Sequence, residues 1–142
     1  MIMAYDRDNV FAKILRGEAP AHAVAENDDC MAFMDLMPQS PGHTLIVPRC
    51  AAENLFDVGV EALRHVVVMT QRVAKAVNEV FEPDGMMIAQ LNGAAAGQSV
   101  FHLHFHVIPR YASEGLKFHA RDAEPSSTLA EHAQLIRSAL ER

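Results

Sequence analysis

Two cysteines, Cys30 and Cys50, are all that this 142-residue chain contains, and no CxxC spacing joins them. That is too few for a disulfide framework and fits a reducing compartment. No apolar run approaches the roughly 20 residues that cross a bilayer, and Met1 to Asp8 lack the apolar segment of a secretory signal. The expectation is a cytoplasmic protein with no membrane partner. Positive charge is also scarce: 12 Lys and Arg face 18 Asp and Glu, a formal net charge of −6. A chain with that balance does not attract nucleic acid or acidic lipid as a whole, so an anionic ligand must be held by a local site. No repeat or low-complexity tract is visible. What is present is ordinary for a globular chain: half of the residues are hydrophobic and 21% are charged. The length suits a single domain, residues 1–142, with a real core.

Against that background one segment stands out, Phe101-His102-Leu103-His104-Phe105-His106-Val107-Ile108. Its strict period of two and its strong β formers predict a strand. Alternate side chains on a strand share a face, so three imidazoles should line one wall while Phe101, Leu103, Phe105 and Val107 line the other. Imidazole gains or loses a proton near neutral pH, which points to chemistry on a negatively charged group.

Periodicity and turn residues place the other elements. Phe11 to Leu15 predicts a short helix stopped near Gly17 and Pro20. His22 to Glu26 and Met31 to Asp35 predict two strands joined at Asn27-Asp28-Asp29, and His43 to Val47 a third closed by Pro48. A long helix is expected after Asp57 as N-cap, with one apolar row through Leu63, Val67, Ala74, Val77 and Phe81. A second row, Val66, Met69, Val73, Ala76 and Val80, predicts burial on more than one side, as at a subunit interface. Pro83-Asp84-Gly85 ends the helix, Met86 to Leu91 predicts a fourth strand, and Ala94 to Gly97 a small-residue loop. Pro109 should end the histidine strand, residues 112–126 should form a loop, and Thr128 with Glu131 should cap a final helix. The fold class is α+β, an antiparallel sheet of about five strands with one long helix and a C-terminal helix.

Clustered histidines raise the question of zinc. Same-face neighbours on a strand lie about 6.6 Å apart, so His102 and His106, about 13 Å apart, can hardly share an ion. A metal site would need a further ligand such as His43, His119 or Cys50, which no spacing announces. Metal-free chemistry needs nothing more. A neutral imidazole can attack phosphorus and form a covalent intermediate, and a second can steady the developing charge and move a proton. Gly97-Gln98-Ser99, just before the histidines, can turn backbone N–H groups toward an anion, and Ser99 and Asn92 are natural donors to phosphate oxygens. His22, His65, His119 and His132 are read as surface or packing residues.

The segment His102-Leu103-His104-Phe105-His106-Val107-Ile108 resembles the His-x-His-x-His-x-x signature of the histidine triad (HIT) superfamily. The likeness extends to Phe11-Ala12-Lys13-Ile14-Leu15-Arg16-Gly17-Glu18, to the stretch from Met34 to Pro48, and to Asn92 and Gly97-Gln98-Ser99. It covers about residues 8–111, leaving 112–142 as a C-terminal extension. The resemblance implies a homodimer whose two sheets join into one, and a hydrolase that cleaves at the α-phosphorus of a nucleoside 5′-phosphate derivative without a cofactor. By position, His104 would be the nucleophile, His106 would contact the phosphate and leaving group, and His102 and His43 would support it. Asp35 would accept from the ribose hydroxyls. Phe11, Ile14, Phe33 and Leu36 would form an apolar slot for the base, purines preferred. Asn92, Gln98 and Ser99 would hold phosphate oxygens. The leading activity is a Hint-like nucleotide phosphoramidase. The alternatives are a Fhit-like dinucleoside polyphosphate hydrolase or nucleotidyl transferase, and a nucleotide-binding dimer with little catalysis. Many members carry a zinc held by two cysteines and two histidines. Here Asn9, Ala12 and Ala51 stand at three of those positions, so no metal is expected.

Overall fold

The computed structural model describes residues 4–114 and 122–142. Helix α1 spans Val10–Leu15, β1 Ala23–Glu26, β2 Cys30–Met34, β3 Thr44–Pro48, α2 Val60–Phe81, β4 Gly85–Ala89, β5 Phe105–Arg110 and α3 Ser126–Leu140. A short 3-10 turn covers Ala94–Ala96 where a loop was expected. The five strands form one antiparallel sheet in the order β1-β2-β3-β5-β4. No helix among the described residues is long and apolar enough to cross a membrane.

The pleat divides the core in two. Ala32, Met34, Ile46 and Val107 face α2 and α3, joining Val66, Val73, Val77, Leu129 and Ile136 in the larger cluster. The alternate residues Met31, Phe33, Leu45 and Val47 face the other way and pack on Phe11 and Ile14 of α1. α1 is held there by its cap, because the Asn9 side chain accepts from Ala12 N–H at 2.9 Å. α3 lies against α2 and β1, where Arg137 donates to Ala23 O at 2.6 Å.

Four expectations need correction. Thr128 and Glu131 do not cap α3, which starts at Ser126 with Pro125 as N-cap and no side-chain cap bond. The N-cap of α2 is Gly59, not Asp57. The Asp57 carboxylate instead accepts from the backbone N–H groups of Glu53 and Asn54, closing the preceding turn. Pro109 does not end β5, which continues to Arg110 and pairs Pro109 with Met86. The histidine segment is a strand only from Phe105 onward. The β3–β5 register pairs Thr44 with Val107, Leu45 with His106 and Ile46 with Phe105. Continued, it would set Pro48 opposite Leu103, and proline has no N–H to offer a ladder. Leu103 N–H turns instead to Ala52 O at 2.8 Å.

Candidate functional site

His102 and His104 therefore sit on irregular backbone and His106 on the strand proper, yet the three rings stay on one side. Phe11 stands edge-on to His102 and His104, with centroids 6.4 and 4.9 Å away. His104 and His106 are 4.9 Å apart, and His43 follows 5.2 Å from His106. Phe105 and Val107 face the opposite cluster, beneath α2.

The partners of each ring fix where its hydrogen sits. His104 Nδ1 lies 2.7 Å from the carbonyl oxygen of His102, which can only accept. Nδ1 thus carries the hydrogen and Nε2 keeps a lone pair. His43 Nδ1 accepts from Gln39 N–H at 3.0 Å, so its hydrogen is on Nε2. That nitrogen lies 2.9 Å from His106 Nδ1 and 3.4 Å from Asp35 Oδ2. His106 Nδ1 accepts, which leaves the hydrogen of neutral His106 on Nε2. His102 Nε2 lies 2.8 Å from Pro48 O and donates to it.

Burial keeps these rings uncharged. It drives His43 down to about 3, helped by neighbouring His106 and His104. Burial likewise takes His102 and His106 each to about 4, and lowers His104 against the opposing hydrogen bond to the His102 carbonyl. Asp35 is pushed up to about 6 by burial, despite the Met37 N–H that its Oδ1 accepts at 2.9 Å. The Asp35–His43 contact, though within ion-pair distance, is a neutral imidazole against a carboxyl group.

Asp35, His43 and His106 place three possible donor atoms within 4.8 Å of one another. The set does not suit a cation in this arrangement. His43 Nε2 carries its hydrogen because Nδ1 already accepts one, so it has no lone pair to give.

A cavity of about 330 Å³ opens beside His104. Phe11, Ile14, Phe33 and Leu36 form its apolar walls, Asp35 and His43 stand on one flank, and Ser99 is exposed on its lining. No lysine or arginine among the described residues lines it. Val10, Pro20, Ala21 and Met37 also reach it, and their local patterns gave no sign of that.

Asn92 and Gln98 are not on the cavity wall. The Asn92 amide pairs with Gln90, and its Oδ1 also accepts from Leu55 N–H at 2.9 Å. Gln98 is buried, accepting from Gly93 N–H at 2.7 Å and donating to Glu53 O and Val100 O. Gln98 holds the turn that presents Ser99, in which Gly97 has φ of +101°, and Asn92 links the end of β4 to the loop at Leu55. Elsewhere, His22 meets Ser126 Oγ, His65 faces Asp29 and His132 packs edge-on to Phe81. His119 lies outside the described residues. At the positions named for a zinc, the Asn9 side chain caps α1 and Ala12 is buried on it.

Known proteins resemble this chain over most of its length. The HIT domain profile matches residues 16–113. The protein named hit of Bacillus subtilis is 37% identical over 121 residues, which are 82% of this chain and 83% of that one. A protein named adenylylsulfatase HINT3, from Arabidopsis thaliana, is 35% identical over 119 residues, 80% of this chain and 60% of its own. Among solved structures, a Hit-like protein of Bartonella henselae described as involved in cell-cycle regulation superposes with a TM-score of 0.89. It is 46% identical, over 96% of this chain and 99% of that one.

Proposed function

Because the chain belongs to the HIT domain family, we propose that it is a nucleotide-binding hydrolase acting at the α-phosphorus of nucleoside 5′-phosphoramidates. The observation that carries this reading is the tautomer of His104. A carbonyl holds its Nδ1–H, and the free lone pair on Nε2 belongs to a ring on the cavity wall. A neutral imidazole so fixed is a ready nucleophile.

In the first step His104 Nε2 attacks phosphorus. The Nε2–P bond forms and the P–N bond to the amine breaks; the bridging nitrogen enters protonated and departs as a neutral amine, with His106 Nε2–H hydrogen-bonded at the phosphate. In the second step water attacks the nucleotidyl-histidine and its proton passes to the released amine. The P–Nε2 bond breaks and a nucleoside monophosphate leaves. The incoming phosphate finds neutral donors rather than fixed cations, namely the Oγ–H and backbone N–H of Ser99, since Gly97 N–H and Gln98 N–H are already given to Ala94 O and Gly93 O. Gln98 acts one step back by holding that turn. Asp35 accepts from the ribose, and Phe11, Ile14, Phe33 and Leu36 sandwich the base. A relative's name, adenylylsulfatase, denotes action on an adenylyl conjugate, which supports the class of substrate.

The functional unit is read as a homodimer in the cytoplasm. On α2, Val60, Val67 and Val68 stay exposed, as does Ile88 on the edge strand β4. A second copy would cover this face.

The test is His104→Ala. Turnover of an adenosine phosphoramidate is lost, no nucleotidyl-enzyme is trapped by mass spectrometry, and AMP still binds. Turnover that survives the substitution sinks the covalent mechanism. Comparing the wild-type rate with that on a diadenosine polyphosphate separates this reading from the Fhit-like one.

A further inference from the structure

Tyr5 has no part in the chemistry set out above. Its hydroxyl meets Nδ1 of His102, far along the chain, and the two rings pack edge-on with centroids 5.7 Å apart. His102 is fully buried, at 0% exposure, so both of its ring nitrogens need partners inside the protein. Pro48 O takes the hydrogen of Nε2 at 2.8 Å. Nδ1 therefore has only a lone pair, and the phenol is its donor.

The same residue holds the nucleophile. The His102 carbonyl receives Nδ1–H of His104 at 2.7 Å, and the next residue, Leu103, is fastened through its N–H to Ala52 O at 2.8 Å. Tyr5 is itself anchored. Asn9 Nδ2 donates to Asp6 O and Arg16 Nη1 donates to Arg7 O, each at 2.7 Å. These bonds tie the segment after Tyr5 to helix α1. A continuous series of contacts thus runs from α1 through the phenol to the imidazole and on to the reacting ring.

We propose that Tyr5 is a positioning residue: by donating to His102 Nδ1 it locks that ring and, through the His102 carbonyl, aims Nε2 of His104. The inference leans on the proposed function only for its kinetic arm.

Tyr5→Phe in the full chain tests it, since the ring contact is kept and only the hydroxyl is removed. In the wild type, nitrogen-15 NMR shows His104 as a single tautomer with hydrogen on Nδ1. In the variant, the His102 Nδ1 resonance moves and His104 shows both tautomers. With an adenosine phosphoramidate, kcat falls about tenfold while KM stays within about twofold, the pattern of a misaimed group in an intact binding site. Should Tyr5→Phe not fold, incorporating fluorotyrosine into a Tyr111→Phe background changes the acidity of the Tyr5 phenol alone, and the His102 Nδ1 resonance must follow. An unmoved His102 Nδ1 resonance, or a His104 ring still in one tautomer without the hydroxyl, overturns the proposal. If the wild type itself does not turn over the phosphoramidate, the functional reading has failed, and the NMR arm alone decides the role of Tyr5.

Discussion

His43 Nε2 lies 2.9 Å from His106 Nδ1, and His43 supplies the hydrogen between them because its own Nδ1 already accepts from Gln39 N–H. The pair therefore has a direction. Hydrogen runs from His43 toward His106 and leaves the other nitrogen of His106 as the donor. Removing the first member should unsettle the second. His43→Ala is expected to lower kcat by about a hundredfold, within the range for a lost proton-handling group, with KM little changed. His43→Asn, whose amide can still donate, should fall between. Rapid-quench measurement of nucleotidyl-enzyme formation checks this, and equal rates for the two variants would refute the direction assigned.

Acid should unfold the protein. His43, His102 and His106 have folded values of about 3, 4 and 4, against 6.5 for an exposed imidazole. Between those limits the unfolded chain binds more protons than the folded one, so stability falls as pH drops from 6.5 toward 4. Asp35 opposes this, because its folded value of about 6 exceeds the ordinary 3.8 and makes the fold lose stability as pH rises between them. Three rings outweigh one carboxyl group. A Tm measured across this range should decline steadily on acidification, and Asp35→Asn should decline more steeply. A flat profile would contradict the buried neutral state of the rings.

Gly42→Ala should destabilise by about 1–3 kcal/mol, the scale of a residue forced into a sparsely allowed backbone region. Gly42 has φ of +94°, and a Cβ there would meet Phe81 Cδ2 at 2.9 Å. The residue joins the end of α2 to the chain just before His43, so the same variant should raise KM through the Asp35–His43 flank. Thermal melts and steady-state kinetics on one preparation check both parts.

On the proposed homodimer reading, Val67→Glu should yield a folded monomer. Val67 is 47% exposed in the single chain, so a charge there costs little unless a second copy covers it. Sedimentation velocity gives the mass, and circular dichroism shows whether the fold persists. A variant that sediments like the wild type removes α2 from the interface.

The local signals read well. Short apolar runs bounded by turn residues, Met31–Asp35 and His43–Val47, marked β2 and β3 within a residue or so, and Asn27 with its neighbours marked the turn. What escaped depended on distant residues. Nothing near Leu103 announces that Ala52 O will take its N–H and end the ladder early. Asp57 looks like a helix cap, because a carboxylate before an apolar row satisfies that pattern wherever its oxygens finally point. Gln98 sits in a turn that suits phosphate, yet three of its own neighbours claim its amide. Tyr5 and His102 are linked across most of the chain, a separation at which sequence pattern carries no information.

The slot formed by Phe11, Ile14, Phe33 and Leu36 offers a heterocycle only hydrocarbon side chains. Walls of this kind grade their guests by breadth and flatness rather than by the pattern of exocyclic groups on a ring. On the proposed reading, adenine and guanine conjugates would then compete on nearly equal terms. Selectivity in the cell would come from whatever is attached beyond the phosphorus.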